Sequence, residues 1–255
     1  MKWYEKYLSV YGKPYADVSA EVMDGIRNRL RTLQSDEPLV SVVVIAYNEE
    51  KHLPACLWSL SESVCEYPME IIGVNNDSAD RTADVFEASG IPYHTELQHS
   101  CGYARRCGLQ YAQGKYYICI DSDTMYPPGY VQAMTDALQR PGIVAVSSLW
   151  SYMPDEGHPW LGLKIYEFMR DTHLWMQSFK RPELSVRGLV FAYNADYGRK
   201  VGYRVDIIRG EDGSMALGLK QYGRIGFVRS RKARAVTGYG TVGADGSFLN
   251  SFRVR

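Results

Sequence analysis

The chain has 255 residues, 45% of them hydrophobic and 23% charged, which is the make-up of one large soluble α/β domain or one domain with appendages. Its 29 Lys and Arg balance 29 Asp and Glu, so no overall field draws it to nucleic acid or an acidic polymer. No apolar run reaches the ~18 residues of a membrane span, and Met1-Lys2-Trp3-Tyr4-Glu5-Lys6 lacks the apolar core of a signal peptide.

Val18, Val22, Ile26, Leu30 and Leu33 recur at near-four spacing, which predicts an amphipathic helix over 15–33. That helix is expected to pack on the outside of the main domain and is assigned no chemistry; with the polar break at 34–38, residues 1–37 read as an N-terminal helical extension. Leu39–Ala46 is nearly continuous in β-branched residues, as expected of a strand buried on both faces of a parallel sheet. It stops at Tyr47-Asn48-Glu49-Glu50, where Asn48 is placed to cap a helix carrying Leu53, Leu57 and Leu60. A strand over 70–75 runs into the polar loop Asn75-Asn76-Asp77-Ser78-Ala79-Asp80-Arg81-Thr82 and a helix to Ala88. A short strand near 93–96, a helix over 102–112 closed by Gly114, and a strand from Tyr116 follow. Alternation of strands and helices in this order predicts an α/β fold with a Rossmann-like, doubly wound, mostly parallel sheet flanked by helices.

Further on, Pro127 and Pro128 start a helix to about Gln139, and 142–149 reads as a strand. Leu161, Ile165, Phe168, Trp175, Met176 and Phe179 share roughly one face of a helix over 160–179. That face is expected in the core; the second reading is an interfacial face that approaches a lipid-linked acceptor. Residues 199–203 begin a turn. Gly210-Glu211-Asp212 opens a helix with Met215, Leu219 and Tyr222 inward and Gly223 as its stop. Short strands over 225–229 and 233–237 precede a tail, 238–255, that is a loop ordered on binding or a flexible end. The cysteines, Cys56, Cys65, Cys101, Cys107 and Cys119, suit neither zinc nor a disulfide framework, and fit a reducing cytoplasm.

The chemistry concentrates where the apolar run from Tyr116 ends in Asp121-Ser122-Asp123. If the strand persists to Asp123, both acids project to one side, at the carboxyl edge where open α/β sheets bind ligands. Two like charges held that close require a cation or a proton between them. A polar turn ending a strand is the plainer reading. Glu211 and Asp212 are likewise favoured at a helix start by its dipole, whatever else they do. Tyr47 also reads as a strand-end aromatic and Arg105 as a surface ion-pair partner. His94, His99, His158 and His173 lack ligand spacing and are assigned to structure.

Four segments together narrow these alternatives: Ala46-Tyr47-Asn48-Glu49, the loop Val74–Thr82, Ala104-Arg105-Arg106-Cys107-Gly108 ahead of Gly114–Asp123, and Gly210-Glu211-Asp212. In this order, over about residues 38–230, the chain resembles the family 2 glycosyltransferases, which have the GT-A nucleotide-sugar-binding fold. The resemblance implies an inverting transfer from a nucleotide-sugar donor, usually a UDP-sugar, with Mg²⁺ or Mn²⁺. The acceptor is a hydroxyl of a saccharide or a lipid-linked molecule, with peripheral association at the inner face of a membrane in the latter case. Residues 38–148 would form the nucleotide-sugar-binding half and 149–255 the acceptor half of one domain.

Carried over by motif, Tyr47 lies against the nucleobase with Ala46 and Glu49 nearby, and Asn76 meets the base edge. The family often has Asp-Asp where this chain has Asn75-Asn76; an amide oxygen accepts from uracil N3–H as a carboxylate does. Arg105 pairs with the diphosphate or organises its loop. Asp121, with Ser122 beside it, faces the ribose or the metal, and Asp123 is the metal ligand. Asp212 is the base that takes the acceptor proton, with Glu211 as fallback. Two rival readings stand beside this one. Asp121-x-Asp123 also resembles the nucleophile motif of haloacid-dehalogenase-type phosphatases, although Met125 departs from that pattern and three β-α units precede it. A GT-A-like domain that binds a nucleotide-sugar without turnover is the other. Trp150 and Trp160, flanking the loop 154–157, are candidates to stack a sugar ring.

Overall fold

The computed structural model describes residues 2–154, 160–207 and 209–238. Strand β1 (Val40–Ala46) is buried along its whole length, as its β-branched run requires. It pairs in parallel with β2 (Met69–Asn75) on one side and β4 (Tyr116–Asp121) on the other, and β3 (Tyr93–Thr95) continues beyond β2. Helices α2 (Leu53–Ser61), α3 (Thr82–Ser89) and α4 (Cys101–Tyr111) make the crossovers. Alternate β1 residues point to opposite faces: Val42 and Val44 join the core with Leu53, Leu57 and Phe86, while Val43 and Ile45 join the one with Ala104 and Cys107. Register aligns Ala46 with Asn75 and Ile45 with Asp121, so the loops after β1, β2 and β4 open onto one edge. This is the doubly wound half that the alternation predicts.

Beyond β4 the sheet departs from a purely parallel order. Strand β8 (Phe191–Asn194) lies antiparallel between β4 and β6 (Ile143–Ser148), and β9 (Arg224–Val228) completes the edge parallel to β6. A second small sheet joins β5 (Thr124–Met125), β10 (Ala235–Thr237) and β7 (Trp150–Tyr152). A four-residue apolar run such as β8 is too short for its period to separate strand from helix.

Several local expectations are corrected. Helix α1 (Ala20–Leu33) starts only after Ser19, whose side chain accepts from Val22 N, and residues 15–17 form a separate 3₁₀ turn. Asn48 does not cap α2: it sits at φ 54° with its Oδ1 accepting from Ala79 N, and His52 holds the cap position. Gly114 serves close approach, since a Cβ there would stand 2.7 Å from Ser41 N. Residues 199–201 end a helix, α7 (Ala195–Val201), instead of beginning a turn. Helix α5 (Tyr130–Leu138) follows the two prolines as expected. Helix α8 (Glu211–Leu219) stops short of Tyr222, which stacks on Tyr197 at 4.6 Å.

Helix α6 (Trp160–Lys180) reverses the core expectation. Leu163, Glu167, Arg170 and Leu174 face inward, and the apolar stripe through Leu161, Ile165, Phe168, Met176 and Phe179 faces out. Trp150 is buried under the Arg170 guanidinium at 4.1 Å, which removes it as a sugar-stacking surface; Trp160 is exposed. Most of the loop 154–157, His158 and the tail from Tyr239 lie outside the described residues.

Candidate functional site

The loops at the carboxyl edge are fastened to one another by short polar side chains. Asn48 N donates to Ser78 Oγ, Glu49 N to Thr82 Oγ1 and Glu50 N to Asp80 Oδ2, at 2.8 to 3.0 Å. Asp80 Oδ1 in turn accepts from Thr82. The polar run Asn75–Thr82 therefore holds the Tyr47–Glu50 loop as well as starting α3. Tyr47 projects half-exposed from this platform, edge-on to His99 at 5.0 Å, and His99 Nε2 lies 3.2 Å from Asp77 Oδ2. Asn76 is buried, and its amide is engaged by its own chain. Nδ2 donates to Glu96 O and Gln98 O, both at 2.8 Å, and Oδ1 accepts from Ser100 N at 3.1 Å. Its work here is to fix the 96–100 loop that carries His99. Ala46 is buried, its carbonyl accepting from Asn76 N.

Strand β4 ends at Asp121 and does not persist to Asp123; Ser122, buried, and Asp123 form a turn into β5. The two acids consequently have different surroundings. Asp121 accepts from Arg105 Nη2, and its own N–H donates to Tyr126 Oη at 3.1 Å. Around Asp123, burial, then the nearby charges of Asp121 and Glu49, push the carboxyl up to about 7, opposed by Thr124 Oγ1, which donates to it at 2.9 Å, and by the nearby His52. A desolvated carboxylate facing two others fits a hard divalent cation, which would let all of them ionise. Among the described residues no group of three or more His, Cys, Asp or Glu forms a ready cage. Oxygen from a bound ligand would have to complete the coordination.

Arg105 joins this end of the site to Glu211-Asp212. It is buried on α4, donates to Ile120 O at 3.2 Å as well as to Asp121, and lies with Nε 3.8 Å from Asp212 Oδ1. Those two atoms, Nε and Oδ1, are buried with no hydrogen-bond partner among the described residues. Burial raises the Asp212 carboxyl to about 7, Arg105 opposing the shift while Glu211 and Asp121 add to it. Gly210, at φ 92°, turns the chain so that both acids open α8. The arrangement can neutralise a negative group at Asp121–Asp123 and take a proton at Asp212.

Four further residues belong to the site without any motif to announce them. Tyr11, in the N-terminal extension, donates to Asp123 O at 2.9 Å and packs on His52 at 4.8 Å. His52 Nδ1 lies 2.6 Å from Glu49 Oε2, a contact that raises its pKa. Tyr126 links Asp121 to Leu189 O at 2.9 Å. Gly188 lies against both ends of the Arg105–Asp212 pair: a Cβ there would stand 2.7 Å from Arg105 Nη2 and nearer still to Asp212 Oδ2. Tyr11 thus brings the segment ahead of α1 to the site, while α1 itself packs outside it.

Comparison with known proteins bears on the family and the fold. A model of the family described as Glycosyl transferase family 2 matches residues 41–198, well over half of the chain. Glycosyltransferase GlyA of Streptococcus pneumoniae serotype 4 is 27% identical over 187 residues, covering 68% of this chain and 27% of GlyA. The matched stretches span about a quarter to a half of the length of the curated relatives. Among solved structures, glucosyl-3-phosphoglycerate synthase from Mycobacterium tuberculosis, in complex with Mn²⁺, UDP-glucose and phosphoglyceric acid, aligns with a TM-score of 0.57 and 21% identity over 81% of this chain and 73% of that one. The mannosyltransferase PcManGT from Pyrobaculum calidifontis, in complex with GDP-Man and Mn²⁺, aligns at 0.61 and 16% over 89% and 67%. At these identities the structural likeness is one of fold.

Proposed function

Because the chain belongs to glycosyl transferase family 2, and is therefore a glycosyltransferase of GT-A fold, we propose that it moves a sugar with inversion from a nucleoside-diphosphate donor, a UDP-sugar in the first instance, to a hydroxyl of a saccharide or lipid-linked acceptor. The observation that carries this reading is the buried carboxylate of Asp212, whose Oδ1 takes no hydrogen bond among the described residues and lies 3.8 Å from Arg105, which in turn pairs with Asp121. The phosphatase reading gives way to the family assignment. The reading divides the chain into an N-terminal extension (1–37), a donor half (38–148) and an acceptor half (149–255).

In this reading Tyr47 stacks on the base, with Ala46, Glu49 and Asn76 shaping its slot, and Asp121 and Ser122 hold the ribose and diphosphate side. Mg²⁺ or Mn²⁺, held by Asp123 and Asp121 with diphosphate oxygens, would neutralise charge on the departing nucleoside diphosphate. Asp212 accepts the proton of the acceptor hydroxyl as its oxygen bonds to the anomeric carbon. The bond from that carbon to the diphosphate breaks, and its electron pair leaves with the nucleotide. A carboxyl near 7 is suited to this work at neutral pH. Glu211 keeps the Asp212 proton affinity high, and Arg105 keeps it from rising further. The five cysteines are free, which accords with a cytoplasmic location. Among the described residues no helix is long and apolar enough to cross a membrane.

The test is thermal shift and nucleoside diphosphate release with a panel of nucleotide-sugars and Mn²⁺. The expected result is stabilisation by UDP plus Mn²⁺, lost in Asp123→Ala, and transfer lost in Asp212→Asn with donor affinity retained. Transfer at near wild-type rate in Asp212→Asn would remove the base assignment, and binding without release across many acceptors would favour a binding module.

A further inference from the structure

Helix α6 is built inside out for a surface helix of a globular domain. Charged residues in its middle, Glu167, Arg170 and Asp171, are turned inward. Glu167 accepts from Tyr152 N at 2.8 Å and Ser151 Oγ at 3.2 Å, Arg170 covers the Trp150 ring, and Asp171 is shared by Arg170 and Arg234. These polar contacts fasten the helix down. Its large apolar side chains point away: Phe168 is 74% exposed, Phe179 70% and Leu161 64%, with Ile165, Met169 and Met176 all above half. At about 100° of rotation per residue these fall within an arc of about 100°. Along 21 residues, about 30 Å, such an exposed stripe is larger than a free-standing surface normally leaves in water. The one polar side chain within the arc, Thr172, bonds back to Phe168 O at 2.8 Å.

Charge decides what covers the stripe. Lys164 and Lys180 fall at its two edges, both exposed, Arg181 follows at the helix end, and Arg229 stacks on Trp175 at 5.0 Å. Lys164 reaches back to Glu167 at 2.7 Å, and the helix offers no exposed carboxylate. A second copy would offer this face only the same apolar arc and the same flanking lysines, with no exposed carboxylate on the helix to pair them. An anionic bilayer answers both features, taking the apolar arc at the headgroup–acyl boundary and the lysines among the phosphates.

We propose that the outer face of α6 is a membrane-docking surface, on which the helix lies flat against anionic lipid with Leu161, Ile165, Phe168, Met169, Met176 and Phe179 buried and Lys164, Lys180 and Arg181 at the rim. The surface rests on exposure and charge alone; its purpose, bringing the site to a lipid-linked acceptor, rests on the acceptor reading above. Chain continuity joins the two, since α6 runs through residues 181–187 directly to Gly188, which lies against Asp212.

The experiment is co-sedimentation of the full chain with vesicles of phosphatidylcholine alone and of phosphatidylcholine with phosphatidylglycerol in equal parts. Binding should be at least tenfold tighter to the anionic vesicles and weaken with salt. The triple variant Leu161→Ser, Phe168→Ser, Phe179→Ser should lose at least tenfold in partitioning while keeping its circular dichroism and its thermal shift with UDP and Mn²⁺. The charge variant Lys164→Glu, Lys180→Glu reads the same face independently and should lose the preference for anionic vesicles. Absence of binding to either vesicle overturns the proposal, as does binding that neither variant weakens. A dimer in solution that the triple variant dissociates, without vesicle binding, overturns it in favour of a second copy. Vesicle binding in a protein that shows no response to any nucleotide-sugar would leave the docking surface standing and sink the acceptor reading instead.

Discussion

Replacing Gly188 by alanine tests whether the Arg105–Asp212 pair is held as tightly as its burial implies. Gly188 is not among the glycines with left-handed φ, so its backbone accommodates any residue and the test is purely steric. The added methyl would stand 2.7 Å from Arg105 Nη2 and closer to Asp212 Oδ2. A carbon meets such atoms comfortably at about 3.5 Å, so one side chain must retreat by close to 1 Å. Arg105 has little freedom, being fixed by Ile120 O and Asp121; Asp212, whose Oδ1 makes no bond, is the one to move. Overpacking of this kind costs about 1–3 kcal/mol, a fall in Tm of about 2–10 °C in a chain of this size. A misplacement of about 1 Å in a catalytic group costs on the order of 100-fold in turnover. The assay pairs a melting curve with donor titration and kcat for transfer. The expected pattern is a modest loss of stability, unchanged donor affinity and kcat reduced by about two orders of magnitude. An alanine variant with wild-type kcat would refute the reasoning, because it would mean that Asp212 is not constrained where it stands.

Titration of the acids gives a signed prediction. The Asp123 carboxyl is raised to about 7 in the folded protein against 3.8 ordinarily, so the folded state holds a proton that the unfolded state has released. Stability of the cation-free protein must then fall as pH rises from about 4 through 7, by about 1 kcal/mol between pH 6 and 8 for this group; melting curves that rise over that interval would contradict it. Asp123→Asn removes one of the crowded charges and should raise Tm in cation-free buffer at pH 8 while abolishing stabilisation by Mn²⁺ with UDP. Arg105→Met leaves Asp121 and Asp212 without their shared cation and should cost about 3–5 kcal/mol in chemical denaturation. Asn76→Asp puts carboxylate oxygens against Glu96 O and Gln98 O, which now receive N–H groups. It should destabilise by about 2–3 kcal/mol, and an equally stable variant would show that the amide is not what fixes the 96–100 loop.

The parallel half of the fold was legible because its determinants are local. The β-branched run 40–46, the apolar run from Tyr116 and the polar loop 75–82 each state their structure within eight residues, and pairing follows from the alternation. The loop motifs were legible for the same reason. What escaped depends on neighbours far along the chain. The run 191–194 is a strand only because β4 and β6 present free edges to it. Tyr11 reaches Asp123 across more than a hundred residues. Arg105 reads from its residue type alone as a surface ion-pair partner and from the resemblance as a diphosphate or loop residue; its burial comes from the meeting of β4 with the start of α8.

Helix α6 shows the limit in its sharpest form. Period locates an apolar stripe but carries no sign: nothing in the spacing of Leu161, Ile165, Phe168 and Phe179 says which way the stripe points. The sign is set by the other face, where Glu167 and Arg170 find the backbone of Tyr152 and the ring of Trp150. Buried charges so satisfied can fix a helix as firmly as leucines would, and the apolar side is then left to whatever lies outside. The same logic runs through the candidate site. Asp212 is a candidate base because burial beside Glu211 raises its carboxyl, while its Oδ1, 3.8 Å from Arg105, takes no hydrogen bond among the described residues. Sequence names the acids; which of them is left wanting a proton is decided by packing.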